Sequence, residues 1–177
     1  MHHELVLIDQ SQLRQRQREL HASYEQSLAR LPLELLNGLA QIPAHELRAH
    51  LPGPEILTPD QRLGRPDRVA GHLLHTEPDG AFSIIGLVWR PGQTTRIHDH
   101  ITWCVVGVLS GIEHEELFDE ALNPLGTRDN PPGEVSGFAP PGDIHRVHNT
   151  SDEVAITLHI YGTDVTRIGS SARRYYD

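Results

Sequence analysis

His98 and His100 stand two residues apart in the stretch Gly92-Gln-Thr-Thr-Arg-Ile-His98-Asp-His100-Ile-Thr-Trp-Cys104. In an extended strand, residues at that spacing present their side chains to one face. Two imidazoles do not yet make a stable metal site. A third, His145, follows a Pro140-Pro141-Gly142 turn, which can swing a neighbouring strand across the first pair and complete a three-nitrogen face with open positions for ligands. Imidazole suits zinc, copper and nickel as well as iron, so the ligands alone leave the metal open.

Other histidines compete for the same role, and a His-x-His pair can also be purely structural. His148 is the main rival of His145, but it reads as support for the strand or for the outer shell. His2, His3, His21, His45, His50 and His114 lack ligand-like surroundings and read as surface or helix residues. Near the C-terminus Thr157, His159 and Tyr161 alternate with Ile156, Leu158 and Ile160, the pattern of a strand with one polar side. That side faces either water or a site. Cys104 is the one cysteine, and a buried small hydrophobe is the usual fate of a lone one.

These stretches resemble the paired motifs of the cupin superfamily. Gly92, His98, His100 and Gly111 fall where the first motif has its glycines and His-x-His, while Cys104 stands at the position of its Glu ligand. Pro140, Gly142, His145 and Asn149 match the second motif, with Gly133 one residue early for its opening glycine. Loss of the Glu with Cys in its place is similar to the cysteine dioxygenase family of thiol dioxygenases. Trp89, Gly92, Ile97-His-Asp-His100 and Cys104 look like that family's core strand and turn, and Thr157-Leu-His159-Ile-Tyr161-Gly162 resembles its Ser-x-His-x-Tyr relay with Thr for Ser. The resemblance spans residues 68–165.

It implies an all-β core in the form of a small cupin barrel (a double-stranded β-helix, or jelly roll). It also implies one Fe(II) held by His98, His100 and His145, with dioxygen as co-substrate. Thr157 would orient His159, His159 would hold the Tyr161 hydroxyl, and Tyr161 would steady oxygen or substrate. In animal members a cysteine near this place is joined to the relay tyrosine by a thioether, many bacterial members lacking it, so a Cys104–Tyr161 link is a further implication. Three neutral imidazoles leave the ion's double charge uncompensated, which favours a substrate that brings its own negative donor, as a deprotonated thiol does.

Members acting on cysteine pair its carboxylate with an Arg on an early strand, and those preferring 3-mercaptopropionate resemble them with a Gln. Here that neighbourhood reads Gly71-His72, and neither residue makes a bidentate pair. His72, Arg96 and Arg167 are the candidates for meeting a charged group, with Arg173 and Arg174 behind them in the tail. His72 equally suits a bulkier or aromatic thiol.

The elements that must position these residues follow from periodicity. Leu13, Leu20, Tyr24, Leu28 and Leu31 lay one apolar stripe along a helix that Pro32 ends or kinks. A second helix is expected from Leu33 to Ile42 and a short third from Ala44 to Leu51. A Pro- and Gly-rich loop over 51–67 leads into strands expected over Val69–His75, Ala81–Trp89, Thr102–Phe118, Val135–Ala139, Arg146–Asn149 and Val154–Tyr161. The expected organisation is one domain, with a helical segment and loop at 1–67 packed on a barrel at 68–177.

A net charge of −9 argues against nucleic acid and anionic membrane surfaces as partners. One cysteine excludes an internal disulfide framework. With no signal-peptide core at Met1-His-His-Glu and no apolar run of membrane length, the cytoplasm is the expected location. A monomer or small homo-oligomer is expected. The function expected is insertion of both atoms of dioxygen into the sulfur of a small thiol to give a sulfinic acid. The alternatives are a metal-dependent cupin oxygenase acting on a non-thiol and a non-catalytic cupin module that binds a ligand or structural zinc.

Overall fold

Alternating side chains dominate residues 44–176, the part of the chain that the computed structural model describes. The helices expected over Leu13–Leu31 and Leu33–Ile42 lie outside the described residues. A short helix does run over 44–49. Ten strands follow: β1 (Ala70–Thr76), β2 (Ser83–Trp89), β3 (His98–His100), β4 (Cys104–Ser110), β5 (Glu113–Phe118), β6 (Pro124–Asn130), β7 (Val135–Phe138), β8 (Ile144–His148), β9 (Ala155–Tyr161) and β10 (Ala172–Tyr175). They form two five-stranded sheets, ordered β1-β2-β9-β4-β7 and β10-β3-β8-β5-β6. Every strand pair is antiparallel.

The central strands β2, β9 and β4 of the first sheet are largely buried on both faces, which explains their near-continuous apolar sequences, whereas the edge strand β1 alternates between exposed and half-buried positions. Ile156 and Leu158 of β9, Val88 of β2 and Val105 of β4 pack outward against Ala44, Leu47 and Leu57. The alternate residues Ile85, Leu87, Trp89, His159 and Tyr161 point the other way, into a cavity of about 850 Å³ that His98, His100, His145 and Val147 of the second sheet also line. The two sheets therefore face each other across this cavity.

Three departures from the expected strands have physical causes. The run expected over Thr102–Phe118 is two strands in different sheets, divided at Gly111. Gly111 has φ 71°, and a Cβ on it would lie 2.7 Å from the Ala155 Cα, so the turn needs glycine both for its left-handed backbone and for close approach. In the sequence the turn shows only a lone glycine, and what requires glycine there, the approach of Ala155, comes from the distant strand β9. The strand β6 is exposed at six of its seven positions, so it carries no alternating signal and is held by its ladder to β5. The loop over 51–67 contains a 3-10 turn at Pro54–Ile56 and an α-helical turn at Pro59–Arg62, the latter capped reciprocally by Thr58 and Gln61.

Candidate metal centre

The three-residue strand β3 pairs with β8 so that His98 and His145 are directly opposite. His100 follows on the same face. The imidazole centroids are 4.7 Å (His98–His145), 4.9 Å (His98–His100) and 5.0 Å (His100–His145) apart. One donor atom from each lies within 4.8 Å of the others, so the three form a possible metal site. His148 falls on the opposite face of β8 by strand alternation and is not among the cavity-lining residues.

Each ring is held by its Nδ1. His98 Nδ1 donates to the Arg96 carbonyl at 2.9 Å, His100 Nδ1 to Asp143 Oδ2 at 3.0 Å, and His145 Nδ1 to Glu115 Oε1 at 2.6 Å. Carbonyl and carboxylate oxygens accept hydrogen bonds, so the proton of each neutral ring sits on Nδ1 and the lone pair on Nε2. Burial first, and then the neighbouring imidazoles, push the His98 pKa down to about 3. Burial likewise holds His100 well below its usual range. Glu115 is raised by burial, but hydrogen bonds from His145 and Arg128 outweigh that and hold it at about 2. His145 Nε2 is buried and has no hydrogen-bond partner. An orphaned, buried imidazole nitrogen beside two others is the donor set that a divalent transition metal fits.

Behind the histidines the second sheet supplies fixed charge. Asp99 points away from the cavity, where its Oδ2 accepts from Arg173, from Arg174 and from the Tyr176 hydroxyl at 2.9 Å, and its Oδ1 from the Arg174 backbone N–H at 2.9 Å. This anchors β10 against β3. Burial alone would raise the Asp99 carboxyl, but these donors hold it at about 2. Asn149 ties the two histidine-bearing stretches together: its amide donates to the carbonyls of Trp89 and Glu153, and its backbone N–H to that of Gln93.

On the facing wall β9 carries a chain of hydrogen bonds. Trp89 Nε1 donates to Thr157 Oγ1 at 2.9 Å, Thr157 Oγ1 meets His159 Nε2 at 2.8 Å, and His159 Nδ1 meets the Tyr161 hydroxyl at 3.2 Å. An indole N–H only donates. Thr157 Oγ1 therefore accepts from Trp89 and shares a second hydrogen bond with His159 Nε2, so the ring is fixed at both nitrogens between Thr157 and Tyr161. Burial pushes the His159 pKa to about 3 and keeps the ring neutral. The Tyr161 and His100 ring centroids are 6.2 Å apart across the cavity. Cys104 is opposite Tyr161 across the β4–β9 ladder, with its Sγ 3.9 Å from His159 Nδ1. Burial raises the thiol well above its ordinary pKa.

The substrate-contact candidates separate in the structure. Arg96 lines the cavity. His72 does not, although its neighbour Gly71 does. Arg167 pairs with Asp164 at 2.9 Å and lies outside the lining, and Arg173 and Arg174 are turned onto Asp99. Glu115, Asp143 and Tyr175 were not singled out by the sequence, and Trp89 was noted only as part of the resembled core strand, not as a partner of Thr157. In β5 Glu113 and Glu115 alternate with His114 and Glu116, a pattern that resembles a solvated edge when the partner strand is unknown.

No protein-family model matches the chain. Cysteine dioxygenase type 1 of Danio rerio is 31% identical over 94 residues, covering 48% of this chain and 47% of that protein. The chain thus matches about half the length of this curated relative. Among solved structures, a Klebsiella pneumoniae protein with a double-stranded β-helix domain aligns with TM-score 0.49 and 16% identity, covering 61% of this chain and 89% of that one. A cupin superfamily protein of Desulfitobacterium hafniense aligns with TM-score 0.45 and 19% identity over 57% of this chain and 83% of that one. Oxalate decarboxylase of Bacillus subtilis, with its Mn(II) centres, aligns with TM-score 0.48 and 19% identity over 56% of this chain and 27% of that one.

Proposed function

We propose that this chain is a cupin-type thiol dioxygenase, with Fe(II) held at Nε2 of His98, His100 and His145, that converts a thiol and dioxygen into a sulfinate. The observation that carries the proposal is the pairing of a carboxylate-free, three-histidine face with the Trp89-Thr157-His159-Tyr161 chain across one cavity. The partial likeness to a cysteine dioxygenase supports the same reading. Iron, when bound, supplies the one-electron chemistry that lets dioxygen react with a closed-shell thiol.

The remaining work falls to this chain's own side chains. Arg96 O, Asp143 and Glu115 hold the three rings with Nε2 aimed inward, so no ring rotation is needed before metal binds. Tyr161 holds a hydrogen-bond donor at the cavity wall, and His159, fixed by Thr157 and Trp89, sets its direction. Phe138, Val147 and Ile85 cover the wall with apolar surface and exclude water from the reacting groups. The overall balance is one thiol and one dioxygen giving one sulfinate and one proton, which leaves by the cavity mouth.

The proposal includes a thioether between the Cys104 sulfur and a Tyr161 ring carbon next to the hydroxyl, supported by the position of the two residues opposite each other across the β4–β9 ladder. Each partner gives up one hydrogen, and dioxygen takes the two electrons. Intact-mass analysis after turnover would show the loss of two hydrogens, and its absence would remove the link from the proposal.

The function is tested by oxygen consumption of anaerobically Fe(II)-loaded protein against cysteine, 3-mercaptopropionate, cysteamine, mercaptosuccinate and an aromatic thiol. Uptake with at least one thiol, matched by sulfinate, is expected. Bound iron with no thiol-dependent uptake would overturn the proposal in favour of a non-thiol oxygenase or a binding module.

A further inference from the structure

We propose that Ser171 is a positioning residue for Tyr161, tied through its main chain to the strand of the metal-binding histidines and through its hydroxyl to the phenol on the facing wall. The bridge itself rests on the C-terminal segment; its effect on turnover rests on the function proposed above.

That segment crosses the cavity. The chain leaves β9 of the first sheet at Tyr161 and reaches β10 of the second at Ala172. Ser83 of β2 holds the start of the crossing, donating from its hydroxyl to the Thr163 carbonyl and accepting from the Val165 N–H at 3.1 Å. A four-residue helical turn, Val165–Ile168, follows, and Gly169 closes it with φ 75°, the left-handed cap that turns a chain out of a helix. Beyond it the Ile101 N–H donates to the Ser171 carbonyl at 2.9 Å, Ala172 stands opposite His100, and the Tyr176 N–H donates to the Ile97 carbonyl at 3.0 Å. Asp99, between the two histidines, clamps the same segment through Arg173, Arg174 and Tyr176. Val165, Gly169, Ser171, Ala172 and Tyr175 line the cavity. The segment is a strap that joins one wall to the other.

Ser171 sits where this strap meets the hydrogen-bond chain of β9. Its carbonyl is fixed by Ile101, the residue after His100. Its hydroxyl bonds the Tyr161 hydroxyl, which also meets His159 Nδ1 at 3.2 Å and lies beside the Cys104 thiol, a weak hydrogen-bond partner. Burial raises the Tyr161 phenol well above its ordinary pKa, and the Ser171 bond works against that rise, as a proton donated to the phenol oxygen does.

The two bonds on the phenol have different origins. His159 is two residues from Tyr161 on the same strand, and its supports, Thr157 and Trp89, also belong to the first sheet. That chain sets the phenol relative to its own wall. The histidines His98, His100 and His145 stand on the other sheet. Ser171 supplies the missing reference, because a displacement of β3 is passed through one residue to the Tyr161 oxygen. A hydroxyl hydrogen rotates to suit its partners, so a second partner, anchored on the metal side, narrows the directions in which the phenol can meet a ligand.

The test uses full-length, metal-free protein with carbon-13 at the hydroxyl-bearing ring carbon of its tyrosines. The four tyrosines give four signals, and Tyr161→Phe identifies the one of interest. Ser171→Ala is expected to shift the Tyr161 signal while those of Tyr175 and Tyr176 stay in place, and Ser171→Thr, which keeps the hydroxyl, to restore it. In the Fe(II)-loaded proteins, with the thiol that the oxygen-uptake panel selects, Ser171→Ala should lower kcat about tenfold, the worth of one hydrogen bond, at unchanged KM and iron content. Ser171→Thr should recover most of that loss. An unmoved Tyr161 signal, a shift that threonine fails to reverse, or tyrosine signals that all move together would each overturn the bridge. A shifted signal with unchanged kcat would overturn the part of Ser171 in turnover. A shifted signal with no thiol-dependent uptake by the wild type would support the bridge and overturn the dioxygenase function instead.

Discussion

His145 has one nitrogen committed to Glu115 and the other buried without a partner, a state that costs on the order of 1–3 kcal/mol unless something binds there. His145→Ala is therefore expected to abolish tight iron binding, and His148→Ala to retain it, as read by metal analysis after desalting. The reverse result would assign the third ligand to His148. Tyr161→Phe removes a single donor from the facing wall and should lower kcat about a hundredfold at unchanged iron content. Glu113 is buried in β5, and burial followed by the charge of Glu115 raises its pKa from 4.5 to about 7. The native state keeps this proton where the unfolded chain has lost it, so stability falls as pH rises from about 4.5 to about 7. In the metal-free protein Glu113→Gln should be neutral at acid pH and stabilising by roughly 2–3 kcal/mol above neutrality, measured by denaturant melts; a pH-independent effect would refute it. At this scale, spacing made His98, His100, His145 and the Thr157-His159-Tyr161 alternation legible. The groups that hold them, Glu115 of β5, Asp143 of the turn before β8 and Trp89 of β2, lie far along the chain from the residues they hold, and no local pattern connects the two.

Among the elements, the junction of β4 and β5 is the most constrained. Gly111→Ala would add both a left-handed φ and an overlap with the Ala155 backbone, so a loss of about 2 kcal/mol or more is expected in chemical denaturation. An effect below about 0.5 kcal/mol, the range of ordinary surface changes, would contradict that account of the turn. The strand β10 depends on a single buried carboxylate. Asp99→Asn removes the charge that gathers Arg173, Arg174 and Tyr176, and since Ser170, Ser171, Ala172 and Tyr175 line the cavity, KM is expected to rise more than kcat falls. Sequence periodicity located seven of the ten strands at least in part, because their apolar faces are buried. It missed the break at Gly111, where the close approach that requires glycine comes from Ala155 of a distant strand. It missed β6, where exposure is continuous, and β10, which is held by Asp99 rather than by apolar alternation; β3 was legible from the His98-x-His100 spacing rather than from periodicity.

At the scale of the whole molecule, a net charge of −9 surrounds a cavity whose described lining is cationic and histidine-rich, and no described helix is long and apolar enough to cross a membrane. That contrast was not legible in composition, which averages surface and cavity. It appears only when two sheets fold their histidines inward. Metal that binds the native site and not the unfolded chain must stabilise the whole fold, by about 2.7 kcal/mol at a hundredfold excess over Kd. The measurement that bears most directly on the central claim is turnover of the Fe(II)-loaded protein with a thiol under isotope-labelled dioxygen. Sulfinate carrying both labelled atoms, formed one for one with dioxygen consumed, is the predicted result. Disulfide as the product, oxygen atoms drawn from water, or no uptake by fully loaded protein would contradict it.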